Sequence, residues 1–100
     1  MKIYLDDQRD TPEGWTRTYT AQETIDLLST YEVEELSLDN DLGDEVTCGT
    51  GYQVMQWIEE RVVEENYIPP KNIIFHTANP VARIKMEMVL YYINRYLNGY

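Results

Sequence analysis

Three hydrophobic runs in this chain end in side chains able to hold a cation or a phosphate. Lys2-Ile-Tyr-Leu5 ends in Asp6 and Asp7. Leu36-Ser-Leu38 ends in Asp39, with Asp41 two residues on. Asn72-Ile-Ile-Phe75 ends in His76 and Thr77, followed by Asn79. Carboxylates gathered within a few ångströms repel one another and need either raised pKa values or a cation. A hard cation with oxygen ligands answers that need, Mg²⁺ above all or Mn²⁺ in its place, and Mg²⁺ often bridges to a phosphate. Asp6, Asp7, Asp39 and Asp41 are the candidate metal ligands. His76, the only histidine, suits general acid–base chemistry or phosphate binding. Arg9 and Arg83 could clamp a phosphate bidentately. Asn79-Pro80 reads as a helix start, whose free N–H groups and positive dipole end suit an anion.

Each of these residues also has a plainer reading. Asp6, Asp7 and Asp41 would cap nearby turns, with only Asp39 in a cleft. His76 would be satisfied by a loop carbonyl, Arg9 and Arg83 would form surface ion pairs, and Asn79 would be a helix cap alone.

The elements that must position these groups are legible in outline. Lys2–Leu5 is a short apolar run, a buried strand stopped by acid. Gln8–Gly14 is a loop, and Trp15–Tyr19 alternates large and polar residues as a second short strand. Thr20 and Glu23 form a capping box ahead of a helix with the stripe Ala21, Ile25 and Leu28, ending near Thr30. Leu36–Asp39 is the third strand. Asn40–Gly51 reads as a long loop with three glycines. Thr50 then caps a second helix, with Gln53 in the capping-box position and a core face of Val54 or Met55, Ile58 and Val62. Asn72–Phe75 is the fourth strand. The last helix runs from Pro80 to about Asn98, with Ala82, Met86, Val89, Ile93 and Leu97 as its core stripe.

Helical crossovers impose parallel strands and a right-handed wind. The expectation is one α/β domain over residues 1–100: a flavodoxin-like, three-layer fold with about four parallel strands in the order 2-1-3-4 and three helices. Ligands of such sheets bind at the carboxyl ends of the strands, where the order reverses. Here that point lies between the first and third strands, where Asp6, Asp7 and Asp39 fall.

The bulk properties agree with a small domain and exclude several classes of function. One hundred residues suffice for a single core. No apolar run reaches the roughly 18 residues of a membrane span, and a terminus charged by Asp6 is not a signal peptide. The expected compartment is cytoplasmic, without membrane association. A single cysteine, Cys48, allows no internal disulfide and reads as a small loop residue. A net charge of −10 argues against binding a nucleic-acid duplex through a basic patch. The same charge is compatible with solubility, metal binding, a basic protein partner or mimicry of nucleic acid. Tyr91, Tyr92, Tyr96 and Tyr100 crowd the last helix and suggest a homodimer or partner face.

The strand ending Asp6-Asp7, the later one ending Asp39 and the last one ending Thr77-Ala78 resemble receiver domains of two-component signalling. The runs Leu38-Asp39-Asn40-Asp41-Leu42-Gly43 and His76-Thr77-Ala78-Asn79-Pro80-Val81 resemble more closely the short receiver-like domains named for cyclic-phosphate processing, found in bacteria and phages. The resemblance covers nearly the whole chain. It implies Asp6 and Asp7 as metal ligands, with the Asp41 carbonyl as a third. It implies Asp39 as a phosphoacceptor-like position and Thr77 as a hydroxyl that bonds the phosphoryl group. It departs from the general pattern in three places. The helix after the first strand is replaced by a loop. The fifth strand with its phosphate-binding lysine is missing, so that only Arg9, Arg83 or Lys85 could substitute. Asn40 stands where the subgroup carries histidine.

Three functional readings follow. The first is a metal-dependent phosphate-binding domain acting on a cyclic or terminal nucleotide phosphate, possible as a phosphoesterase or phosphotransfer enzyme, with Asp39 as nucleophile or base and His76 as acid or base. The second is a non-catalytic signalling or binding module. The third is an acidic interaction protein, such as a phage inhibitor of a host protein.

Overall fold

The computed structural model describes residues 1–99; Tyr100, the last of the tyrosine group, lies outside the described residues. The chain runs β1 (Lys2–Leu5), β2 (Thr16–Thr18), α1 (Ala21–Thr30), β3 (Glu35–Leu38), α2 (Glu45–Cys48), α3 (Gly51–Glu65), β4 (Asn72–Phe75) and α4 (Pro80–Leu97). The strands form one sheet in the order β2-β1-β3-β4, and every pairing is parallel. Topology and strand order are those expected.

The local signals act as read. The Thr20 hydroxyl accepts from the Glu23 N–H, and the Glu23 carboxylate accepts from the Thr20 N–H. Thr50 and Gln53 repeat the exchange at α3. Such caps satisfy N–H groups that a helix start leaves without partners. Asn79 caps α4 by accepting from Val81 and Ala82, with Pro80 at the first helical position.

Several boundaries and stripes differ from expectation. The long loop contains the one-turn helix α2, so there are four helices rather than three among the described residues. Its cap is Asp44, which accepts from the Val46 N–H, and Cys48 closes it. One turn is too short for a hydrophobic period to register. In α1 the buried positions are Ala21, Thr24 and Leu28, with Ile25 only half-buried. Thr24 replaces it because its hydroxyl meets that of Thr18 on β2 at 2.7 Å, a polar pair satisfied inside the fold. In α4 Leu97 is exposed, so the buried stripe of this helix ends at Ile93.

The main departure is in the layers. Three layers were expected, and among the described residues the helices cover one face of the sheet only. The chain steps in the same direction from β2 to β3 and from β3 to β4. Right-handed crossovers therefore place α1 and α3 on the same side. α3 packs against both α1 and α4, so α4 joins them. Only the β1–β2 connection steps the other way, and it is a loop. Side chains alternate accordingly. Ile3, Leu5, Leu36, Leu38 and Phe75 point into the core with Leu28, Met55, Ile58 and Met86. On the opposite face lie Tyr4, Arg17, Ser37 and Ile74, which share one cross-strand row, and Ile74 is 52% exposed.

Candidate functional site

The site begins with register. Leu5, Leu38 and Phe75 are paired across β1, β3 and β4. The pairing continues one residue further, since the Asp39 N–H donates to the Leu5 carbonyl and the His76 N–H to the Leu38 carbonyl. Asp6, Asp39 and His76 therefore stand in one row just past the strand ends. Alternation points all three to the helix-free face, in line with Tyr4, Ser37 and Ile74. Oxygens of Asp6, Asp7 and Asp39 lie within 4.8 Å of one another, with Asp6 and Asp39 buried and Asp7 half-buried.

Asp6 is fully buried and its carboxylate accepts four hydrogen bonds. Its Oδ1 takes the backbone N–H groups of Gln8 (2.8 Å) and Arg9 (3.1 Å). Its Oδ2 takes Arg9 Nη1 (2.9 Å) and His76 Nε2 (3.0 Å). Burial alone pushes this carboxyl up. The Gln8 and Arg9 donors, with His76, outweigh burial and hold it well below the usual carboxylate range. Arg9 Nη1 also reaches Asp39 Oδ2 at 3.3 Å, so one guanidinium bridges two acids. The bond to Asp6 in turn raises the Arg9 pKa.

His76 meets the acids from behind. It crosses over β3 to reach Asp6, its Nδ1 sits 2.7 Å from Ser37 Oγ, and its ring stacks on Tyr4 with centroids 4.3 Å apart. An ionised Asp6 can only accept, so Nε2 carries the proton and neutral Nδ1 accepts from the Ser37 hydroxyl. Burial lowers the His76 pKa, against the opposing pull of Asp6.

Arg17 holds the β1–β2 loop. Its Nε donates to the Asp6 carbonyl at 2.7 Å, and its Nη1 donates to the Arg9 carbonyl and the Thr11 hydroxyl. On the other rim, the Asp39 Oδ1 accepts from the Asn40 N–H at 2.8 Å. Asn40 turns its side chain into the structure, accepting from Tyr52 at the start of α3 and donating to Asp41. Gly51 makes this close approach possible: a Cβ there would stand 2.1 Å from the Asp39 carbonyl oxygen.

The described cleft at this sheet edge has a volume of about 450 Å³ and is lined by Asp6, Asp7, Gln8, Arg9, Asp39, Asp41, Gly43 and Ala78. It thus collects the four candidate ligands and Arg9. The remaining residues named from the sequence lie around it. Asn79 Nδ2 donates to Asp41 Oδ2 at 3.3 Å. Thr77 is buried, with its hydroxyl accepting from the Asn79 N–H. Arg83 donates to the Thr77 carbonyl at 3.0 Å and meets no acid among the described residues. A hollow of about 520 Å³ between α1, α2 and α3, lined in part by Gln22, Cys48, Gln53 and Trp57, gathers no comparable set of charges.

Sequence reasoning missed Tyr4, Ser37, Arg17 and Gly51. Period-2 counting back from Asp6 and Asp39 reaches Tyr4 and Ser37, and would have found the support under His76. No local signal marks Arg17 or Gly51.

Three carboxylates on hard oxygens suit a divalent cation such as Mg²⁺ or Mn²⁺. A parallel 2-1-3-4 sheet with this acidic cluster at its switch point defines a receiver-like domain. Residues 1–92 match the family model described as the cyclic-phosphate processing receiver domain, and the chain belongs to that family. No curated protein and no solved structure gives a significant match. No helix among the described residues is long and apolar enough to cross a membrane.

Proposed function

We propose that this domain binds Mg²⁺ or Mn²⁺ through Asp6, Asp7 and Asp39, with Asp41 at the rim, and acts on a phosphate group presented to the cleft. The observation that carries this reading is the approach of three carboxylates within 4.8 Å at the switch point of the sheet. Membership of a family named for cyclic-phosphate processing favours a cyclic or terminal nucleotide phosphate as the ligand. A bound cation would polarise a phosphoryl oxygen and offset its charge.

The residues then divide the work. Asp39 faces the cleft with Oδ2 and serves as nucleophile toward phosphorus or as base toward water. His76 donates from Nε2 to hold the Asp6 carboxylate in place and serves as acid or base. Arg9 is the cleft's cation for phosphate oxygens. Asn79 steadies Asp41. Thr77, two residues past β4, and Arg83 on α4 are joined through the Thr77 carbonyl and would contribute to holding the phosphate.

Calorimetric titration of Mg²⁺ and Mn²⁺ into the wild type and Asp39→Asn tests the site. Binding that is lost in the variant supports it and calls for a screen of cyclic and terminal nucleotide phosphates for turnover. No binding to the wild type would sink it.

A second reading is a non-catalytic signalling or interaction module. It is favoured by a stripe on α4, Val81, Ile84, Met88 and Tyr91, spaced three and four apart and each more than half exposed. Under this reading a phosphoryl analogue added with Mg²⁺ shifts the oligomeric state measured by light scattering. An unchanged mass would count against it.

A further inference from the structure

The cleft already holds a cation of its own, the Arg9 guanidinium, and it occupies the acids that the proposed metal would need. Arg9 Nη1 touches Asp6 Oδ2 at 2.9 Å and Asp39 Oδ2 at 3.3 Å. These are two of the three carboxylates that converge within 4.8 Å. A divalent ion bound there would lie beside a positive charge and would compete with it for the same oxygens.

We infer that Arg9 is a built-in counter-ion which a divalent cation must displace, and that the displaced guanidinium is thereby freed for phosphate. This inference rests on the metal reading above. The local structure separates a fixed backbone from a movable side chain. The Arg9 N–H is bonded to Asp6 Oδ1, and its carbonyl accepts from Arg17, which also grips the Asp6 carbonyl and Thr11. The loop therefore stays in place. The Arg9 side chain, by contrast, is 45% exposed, whereas the Asp6 side chain is 1% exposed and that of Asp39 11%. The acids cannot turn away from one another, and the guanidinium can swing out into water. Without a metal, Arg9 offsets part of the carboxylate repulsion. With one, it is expelled toward the mouth of the cleft, where the outer coordination positions of the ion would meet a phosphate. Binding of the ion and exposure of the phosphate-binding arginine would then be one event.

Charge competition sets the sign of the test. Removing Arg9 takes away a competitor for the metal, so Arg9→Met, which keeps most of the stem, binds Mn²⁺ roughly three- to tenfold more tightly than the wild type. Calorimetry on the full chain measures this. Equal or weaker binding by the variant, with the wild type still binding, overturns the inference and leaves the metal site standing. No binding by the wild type up to millimolar Mg²⁺ or Mn²⁺ overturns both. If Arg9→Met does not fold, the wild type answers by nuclear magnetic resonance under Mg²⁺ titration. The Arg9 Nε–Hε resonance then moves toward that of a solvent-exposed arginine in step with metal binding. An Arg9 resonance that stays put while the ion binds overturns the inference.

Discussion

His76 Nε2 and Asp6 Oδ2 lie 3.0 Å apart across an intervening strand, 70 residues distant in the chain. The contact joins the first strand of the sheet to the last one over the top of Ser37. It makes His76 a support for the most buried acid of the site, and it sets a direction for the response to pH. Burial lowers the His76 pKa from its ordinary value of 6.5, so the native state takes up a proton less readily than the unfolded chain. Stability contributed by neutral His76 is present above about pH 6.5 and is lost as pH falls from there through the lowered native pKa. Asp6 acts lower on the scale. Its contribution is present above its ordinary 3.8 and is lost as pH falls further. Thermal melts of the metal-free protein from about pH 8 to about pH 4 will show stability falling on acidification, beginning near 6.5. His76→Gln will remove that upper step. A wild-type melting point that rises between pH 7 and 6 would mean that His76 is charged in the native state.

Asp6 is held by four donors and no water-facing surface. Asp6→Ala leaves His76 Nε2 and the backbone N–H groups of Gln8 and Arg9 without their acceptor and takes from Arg9 one of its two acids, and will cost about 3 kcal/mol in chemical denaturation. A loss below half of that would show that the loop re-forms its bonds without the carboxylate.

Gly51 meets the Asp39 carbonyl so closely that any Cβ must move one of them. Gly51→Ala will destabilise the fold by about 2 kcal/mol and weaken metal binding by displacing Asp39. A variant with unaltered stability and unaltered Mn²⁺ affinity would show that the start of α3 shifts freely, and that Asp39 is not held by it.

The helix-free face makes a contrasting pair of predictions. Ile74→Lys changes a half-exposed residue on the bare face and will alter stability by no more than about 0.5 kcal/mol. Leu36→Ala, in the adjoining strand but on the covered face, will cost about 3 kcal/mol. A large loss for Ile74→Lys would mean that something covers that face in solution, with a second copy the first thing to look for by light scattering.

Much of this structure was written in local patterns. Three strand runs ending in Asp6-Asp7, Asp39 and His76-Thr77, two capping boxes and the Asn79-Pro80 start each depend on residues a few positions apart. Their physics is settled before the chain folds. From the order of those elements, the parallel 2-1-3-4 sheet and the meeting of Asp6, Asp7 and Asp39 at its switch point also followed, because crossover handedness leaves few alternatives. What only the tertiary structure decided depends on cross-strand distance and on direction. The same handedness puts α1 and α3 on one side, and with no helix between β1 and β2 the other side stays open. The row through Asp6, Asp39 and His76 brings the histidine onto an acid rather than into the cleft. Arg9 lands between two carboxylates because Arg17, on a neighbouring strand, fixes the loop that carries it. Such relationships join residues 8 to 70 positions apart, beyond the reach of any helical or strand period.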